Sequence, residues 1–164
     1  MRTAIAIRCA FLAGCALWAA LAAAPAAAQQ DPVDAMVKRT GAEGAAELAG
    51  LLGECGGVYA AYERIASAQA PQLGADYREM KNGALLAGAY LLYREHRLRM
   101  HDGRPLEDFL PPVRSRAQAR EAEVTAAFTG QQLDQAREML PECAKLEDLQ
   151  SFLVQAWRRE TGRE

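Results

Sequence analysis

The chain has 164 residues, is 51% hydrophobic but only 7% aromatic, and carries a formal net charge of -2. That length suits one domain, and 24% charged residues with a mean hydropathy of -0.17 exclude wholesale disorder and a multi-spanning membrane protein. The apolar content is mostly alanine with few β-branched residues, which disfavours an all-β fold.

The first segment reads as an export signal. Arg2 and Arg8 form a short basic start, and the stretch 9–24 is uncharged and rich in Ala, Leu, Phe and Trp. Pro25 then breaks any helix before Ala26, Ala27 and Ala28 supply the small residues of a signal-peptidase site. Residues 1–28 are therefore expected to be a cleavable signal peptide and residues 29–164 a single mature helical domain, periplasmic or secreted. A retained membrane anchor is the weaker alternative, since the apolar run is shorter than the ~20 residues a span needs. No transmembrane segment is expected after cleavage. Leu12-Ala13-Gly14-Cys15 resembles a lipidation site, but the apolar run continues past Cys15, where a lipid-anchored product would turn polar.

Cleavage removes Arg2, Arg8, Cys9 and Cys15. It leaves 136 residues with 17 basic and 21 acidic side chains, a net charge of -4. Cys55 and Cys143 remain as an even pair in an oxidising compartment, so a disulfide between them is expected. Neither has Cys or His ligands nearby at the spacing of a metal site.

The mature sequence reads as helices. A short leading helix over 31–42, interrupted at Gly41, precedes a long helix over 43–69. The long helix has its inner seam at Leu48, Leu52, Cys55, Tyr59, Tyr62, Ala66 and Gln69, in alternating steps of four and three. A second helix repeats the pattern after Pro71 with Leu73, Tyr77, Met80, Ala84, Ala87, Leu91, Arg94 and Leu98, and stops at Asp102-Gly103-Arg104-Pro105. The short connection at Pro71 makes these two antiparallel neighbours. A third pattern runs from Val113 through Ala117, Val124, Ala127 and Phe128 toward Leu140. Thr129-Gly130 leaves its continuity open, because Thr129 with Gln132 also resembles a capping box. Pro141 is expected to open the last helix, whose inner face is Leu146, Leu149, Phe152, Leu153, Ala156 and Trp157. The economical fold is an all-α, up-and-down antiparallel four-helix bundle with a short extra N-terminal helix, stapled by one disulfide.

Gly50, Gly53, Gly56 and Gly57 on the first long helix, with Gly83 and Gly88 on the second, carry a propensity cost of about 1 kcal/mol each relative to Ala. Close interhelical packing is the ordinary compensation. Folding the hairpin about Pro71 places Gly56 near Ala87, Ala60 near Gly83 and Cys55 near Gly88. The alternative is a small hydrophobic ligand or a noncovalent haem held between these helices.

Motifs that carry chemistry are sparse. Cys-x-x-Cys-His is absent, which excludes covalent haem. Met36, Met80, Met100, Met139, His96 and His101 qualify as noncovalent axial ligands by residue type only. His96 and His101 are five apart and fall on different helix faces, which weakens a copper site with Met100. Paired Glu-x-x-His, H-E-x-x-H, Walker, Rossmann and G-x-S-x-G patterns are all missing. No catalytic residue, cofactor or metal ligand is assigned. Tyr59 with Tyr62, and Tyr90 with Tyr93, each three apart on one helix side, are read as core and boundary packing with their hydroxyls reaching water, in preference to an aromatic binding slot.

The distinctive feature is a charge asymmetry. If the helices alternate in direction, the end of the second, the start of the third and the end of the last share one pole. That pole gathers Arg94, Arg97, Arg99, Arg104, Arg114, Arg116, Arg120, Arg158, Arg159 and Arg163 against six acids. Guanidinium groups recognise carboxylate and phosphate bidentately. Basic residues near the start of the third helix oppose its dipole, so capping does not account for Arg114 and Arg116. The sequence therefore points to a non-catalytic interaction module using this pole, with an anionic envelope component or an acidic protein as partner. Export and an acidic total charge argue against nucleic acid.

Overall fold

The computed structural model describes residues 31–163. The expected signal peptide, with Cys9 and Cys15, lies outside them. Among the described residues there are five α-helices and no strand: α1 Pro32–Gln69, α2 Pro71–Met100, α3 Leu110–Thr129, α4 Leu133–Ala144 and α5 Glu147–Thr161, with a 3-10 turn at Leu106–Phe109 before α3.

The helix ends follow local chemistry. Asp31 caps α1 by accepting from the Val33 N–H at 2.8 Å, with Pro32 at the first helical position. Gly41 breaks α1 as expected, at φ 70° and ψ 178°, a backbone conformation that L side chains rarely adopt. Ala70 separates α1 from α2, because the residue before a proline is turned away from helical geometry. The uncertain junction at Thr129-Gly130 is a true break: α3 ends there and α4 begins at Leu133.

The proline at 141 departs from the expectation. It does not open the last helix but sits inside α4, and the chain breaks later, between Ala144 and Glu147. Losing one amide donor weakens a helix there. The turn beyond it is anchored, however, because Cys143 is bonded to Cys55 with the Cα atoms 5.3 Å apart. The disulfide therefore joins α1 to the short fourth helix and not to the last one.

Specific contacts set the directions. Gly88 of α2 faces the Ala49 carbonyl of α1, and Gly74 lies against Ser67, so the two long helices are antiparallel. Gly53 of α1 meets Val113, Gly57 meets Ala117, and Arg64 pairs with Glu121, so α3 runs parallel to α1. Gln150 of α5 donates to the Met80 carbonyl at 3.2 Å and Glu160 pairs with Arg94, so α5 runs parallel to α2. The α1–α2 hairpin is the centre, and the chief contacts of α3 are with α1 while those of α5 are with α2. One core group joins α1, α2 and α5 around Leu52, Tyr90, Leu91 and Leu153. A second, around Tyr59, Val58, Val124 and the disulfide, gathers α1, α2, α3 and α4. A third packs Phe109 and Val113 on Ala89.

The hairpin register also differs from simple reflection about Pro71. Gly56 lies against Leu85 and Ala117, Gly83 against Gln150, and Gly88 against Ala49 and Val113. Gly53, Gly56, Gly57, Gly83 and Gly88 thus serve α3 and α5 as well as the hairpin itself, with backbone or side chains filling the space where Cβ atoms would stand, whereas Gly50 faces open space.

Candidate functional site: the arginine-rich pole

The start of α1, the end of α2, the 3-10 turn and the end of α5 meet at one end of the molecule. Its centre is Arg94, a seam position of α2 and the one charged residue among the buried ones described, 8% exposed. Its guanidinium donates to Asp34 and, at 3.0 Å, to Glu160, and lies 3.1 Å from Asp31. It also donates to the Tyr90 hydroxyl at 2.9 Å, which in turn donates to Glu160 at 2.8 Å. A buried ion that is fully paired and hydrogen-bonded is tolerated, whereas one left alone is expensive.

Titration of the cluster follows from that geometry. Burial disfavours the charged form of Arg94, but the bonds to Asp34 and Tyr90 outweigh it and raise its pKa. Burial and the neighbouring Glu160 carboxylate push the Tyr90 hydroxyl up. Burial would raise Asp31, yet the Val33 N–H and the Arg94 charge prevail and hold it below the usual carboxylate range. Arg97, raised by its contact with Tyr93, pairs with the other oxygen of Glu160 at 2.6 Å.

The remaining arginines of the expected pole divide into three sets. Arg99 pairs with Glu95 at 2.9 Å, while Arg104 reaches Asp108 at 3.3 Å and lies over the Phe109 ring. Arg158, Arg159 and Arg163 are exposed on the last turn of α5 and beyond, and among the described residues none has a carboxylate within ion-pair distance. Arg163 lies over Trp157. Arg114, Arg116 and Arg120 are not at the tip. They lie along the flank, where Arg116 and Arg120 both approach Glu54, at 3.6 and 3.2 Å, and Arg114 lines a groove between α1, α2 and α3.

Two features escaped the sequence reading. Asp31 and Asp34, at the start of the short leading helix, close the Arg94 cluster; the signal for it in the sequence is the place of Arg94 within an otherwise apolar seam. Lys38 and Arg39, exposed on the same helix, add cations near this end. A cleft of about 640 Å³ opens there, bordered by Asp34, Arg97, His101 and Arg159.

The residues considered as ligands do not converge. His96 bonds Asp102 at 2.8 Å, His101 contacts the Arg97 carbonyl at 3.2 Å, and Met100 is exposed. Met80 and Met139, both half-buried, pack against the core group that holds the disulfide. No cluster of three or more His, Cys, Asp or Glu suited to a metal occurs among the described residues. The tyrosines pack in the core and at its boundary, but the Tyr62 and Tyr90 hydroxyls are engaged by protein groups instead of the expected water: Tyr62 donates to the Ala136 carbonyl at 3.1 Å, and the hydroxyl of Tyr90 is held by Arg94 and Glu160. Tyr59 is different: its buried hydroxyl has no hydrogen-bond partner, and burial pushes its pKa up to about 12.

No family model, curated protein or solved structure matches this chain.

Proposed function

We propose that this is an exported, non-catalytic interaction module, periplasmic or secreted, that uses the exposed cations of its arginine-rich pole to contact an anionic component of the envelope or an acidic protein. One observation carries the reading. The acids around Arg94, namely Asp31, Asp34 and Glu160, are engaged by Arg94 and Arg97 and Asp108 by Arg104, which leaves Glu107 as the exposed acid of the turn, while Arg158, Arg159 and Arg163 are exposed with no carboxylate partner among the described residues. Such a rim attracts anionic surfaces in a salt-dependent way. The disulfide suits an oxidising compartment, and no described helix is long and apolar enough to cross a membrane. A signal over residues 1–28 and an up-and-down arrangement of α1, α2, α3 and α5, with α4 as an inserted connector, belong to the same proposal.

The test is co-sedimentation with vesicles of phosphatidylglycerol or of phosphatidylcholine at low and high salt. The expected result is retention on the anionic vesicles alone, reversed by salt and lost in a variant carrying Arg158→Ala, Arg159→Ala and Arg163→Ala. Equal retention on both vesicles contradicts the reading. Retention on neither moves the partner to an acidic protein, to be sought by cross-linking in the envelope fraction.

A further inference from the structure

A second site lies on the flank. Where α3 crosses α1, the Val113 carbonyl would stand 2.7 Å from a Cβ at Gly53, and the Ala117 carbonyl fills the place of one at Gly57. Beside this crossing, toward the hairpin turn, α1, α2 and α3 leave an open groove of about 450 Å³. That is within the range of small-molecule sites. Its floor is small and apolar, made by Gly56, Ala60, Leu85 and Ala117, and its rim carries Arg64, Lys81 and Arg114. From Gly56 to Ser67 the α1 wall runs about 16 Å at 1.5 Å per residue, room for an extended chain of medium length.

The hydrogen-bonding capacity of the rim is unbalanced. Both oxygens of Glu63 are already engaged, by Arg78 and by Lys81, each at 2.6 Å, and Glu121 is paired with Arg64. Arg114 has no carboxylate within ion-pair distance among the described residues, although it lies early in α3, where the helix dipole disfavours a cation. Arg114 offers five donors, while Lys81 already spends one of its three on Glu63. Arg114 is thus an exposed cation without a carboxylate partner beside an apolar floor, and a bound anion with an apolar body would complement both.

We propose that this groove binds a small amphipathic monoanion, a carboxylate on a medium-length alkyl chain, with Arg114 holding the carboxylate and the Ala60–Leu85 floor receiving the chain. The site is separate from the pole, and its residues play no part in the contact proposed there.

The probe is decanoate, titrated into the full mature protein and followed by amide chemical shifts, with decanol and acetate as the uncharged and short-chain arms. Decanoate is expected to shift amides of Ala60, Leu85 and Ala117, with decanol and acetate binding at least about tenfold more weakly, since a charge-assisted contact and an apolar one are each lost. Arg114→Gln should weaken decanoate by about tenfold, Arg114→Lys by less, and Arg114 is exposed, so helicity by circular dichroism should stay unchanged. The variant lacking Arg158, Arg159 and Arg163 should bind decanoate as the parent does, which separates this site from the pole. Decanol binding as tightly as decanoate, or an Arg114→Gln variant with unaltered affinity, would overturn the proposal.

Discussion

Helices α3 and α4 both pack on α1, but they are attached by different means. α3 buries Val113, Ala117, Val124 and Ala127 and settles so closely on Gly53 and Gly57 that its carbonyls occupy the space of the missing side chains. α4 buries only Ala136 and Cys143, contains a proline, and is joined to α1 by a covalent bond. A helix with a wide complementary surface needs no staple, whereas one with two buried residues does. Small residues in α1 therefore serve dispersion contact in one case, and a cysteine serves linkage in the other.

Removing the staple is the largest way to break that contrast. A variant with Cys55→Ser and Cys143→Ser should lose about 4 to 5 kcal/mol in urea unfolding, the chain-entropy value for a loop of this size. Hydrogen exchange should show α4 opening well before α3. Close behind comes α5, whose end is tied by the Arg94 cluster and not by either device. Arg94→Met should cost about 3 to 5 kcal/mol, because Asp34, Glu160 and Tyr90 lose their common partner in a buried place, and its exchange signature should fall on α5 and the start of α1.

Smaller effects sharpen the comparison within α1 itself. Gly57→Ala should destabilise by about 1 to 3 kcal/mol, since the new methyl meets the α3 backbone, which cannot turn aside. Gly50→Ala meets nothing within 4 Å and should stabilise by about 0.5 to 1 kcal/mol through helix propensity alone. The same substitution seven residues apart thus changes sign, and thermal unfolding of the two variants checks it.

Acid should act on the ion-paired ends with the smallest effect. Asp31 is held low by the Val33 N–H and Arg94 against the effect of burial, and Glu63 by Lys81 and Arg78 against the same effect. A carboxyl whose folded pKa lies below its unfolded value contributes stability above the unfolded value and loses it as pH falls through the folded one. Stability should therefore decline as pH falls below the ordinary values of 4.5 for Glu63 and 3.8 for Asp31. Replacing Asp31 with Asn should flatten that decline in a urea series from pH 6 to 2.5.

Much of this was legible in residue spacing. The break at Pro71, the kink at Gly41 and the all-helical class follow from local rules that tertiary contacts left intact, whereas the Cys55–Cys143 bridge follows from the cysteine count of the expected mature chain and not from any local pattern. Pro141 did not follow its rule, because a covalent anchor just beyond it sustains a turn that propensity alone would end. The partners of Gly53 and Gly57 were hidden for another reason: a glycine records that something comes close but not which helix does. The pole was legible as a count of arginines and not as a site, since charge totals do not show that Asp31 and Asp34 turn inward on Arg94 or that Arg114, Arg116 and Arg120 lie on the flank.

The central claim, an exported domain completed by its disulfide, is tested most directly by the intact mass of the protein recovered from its native envelope fraction, with and without thiol alkylation under denaturing conditions. The account predicts a chain that begins at Gln29 and takes up no alkyl group until it is reduced, when it takes up two. A full-length chain with all four cysteines alkylated before reduction would contradict it.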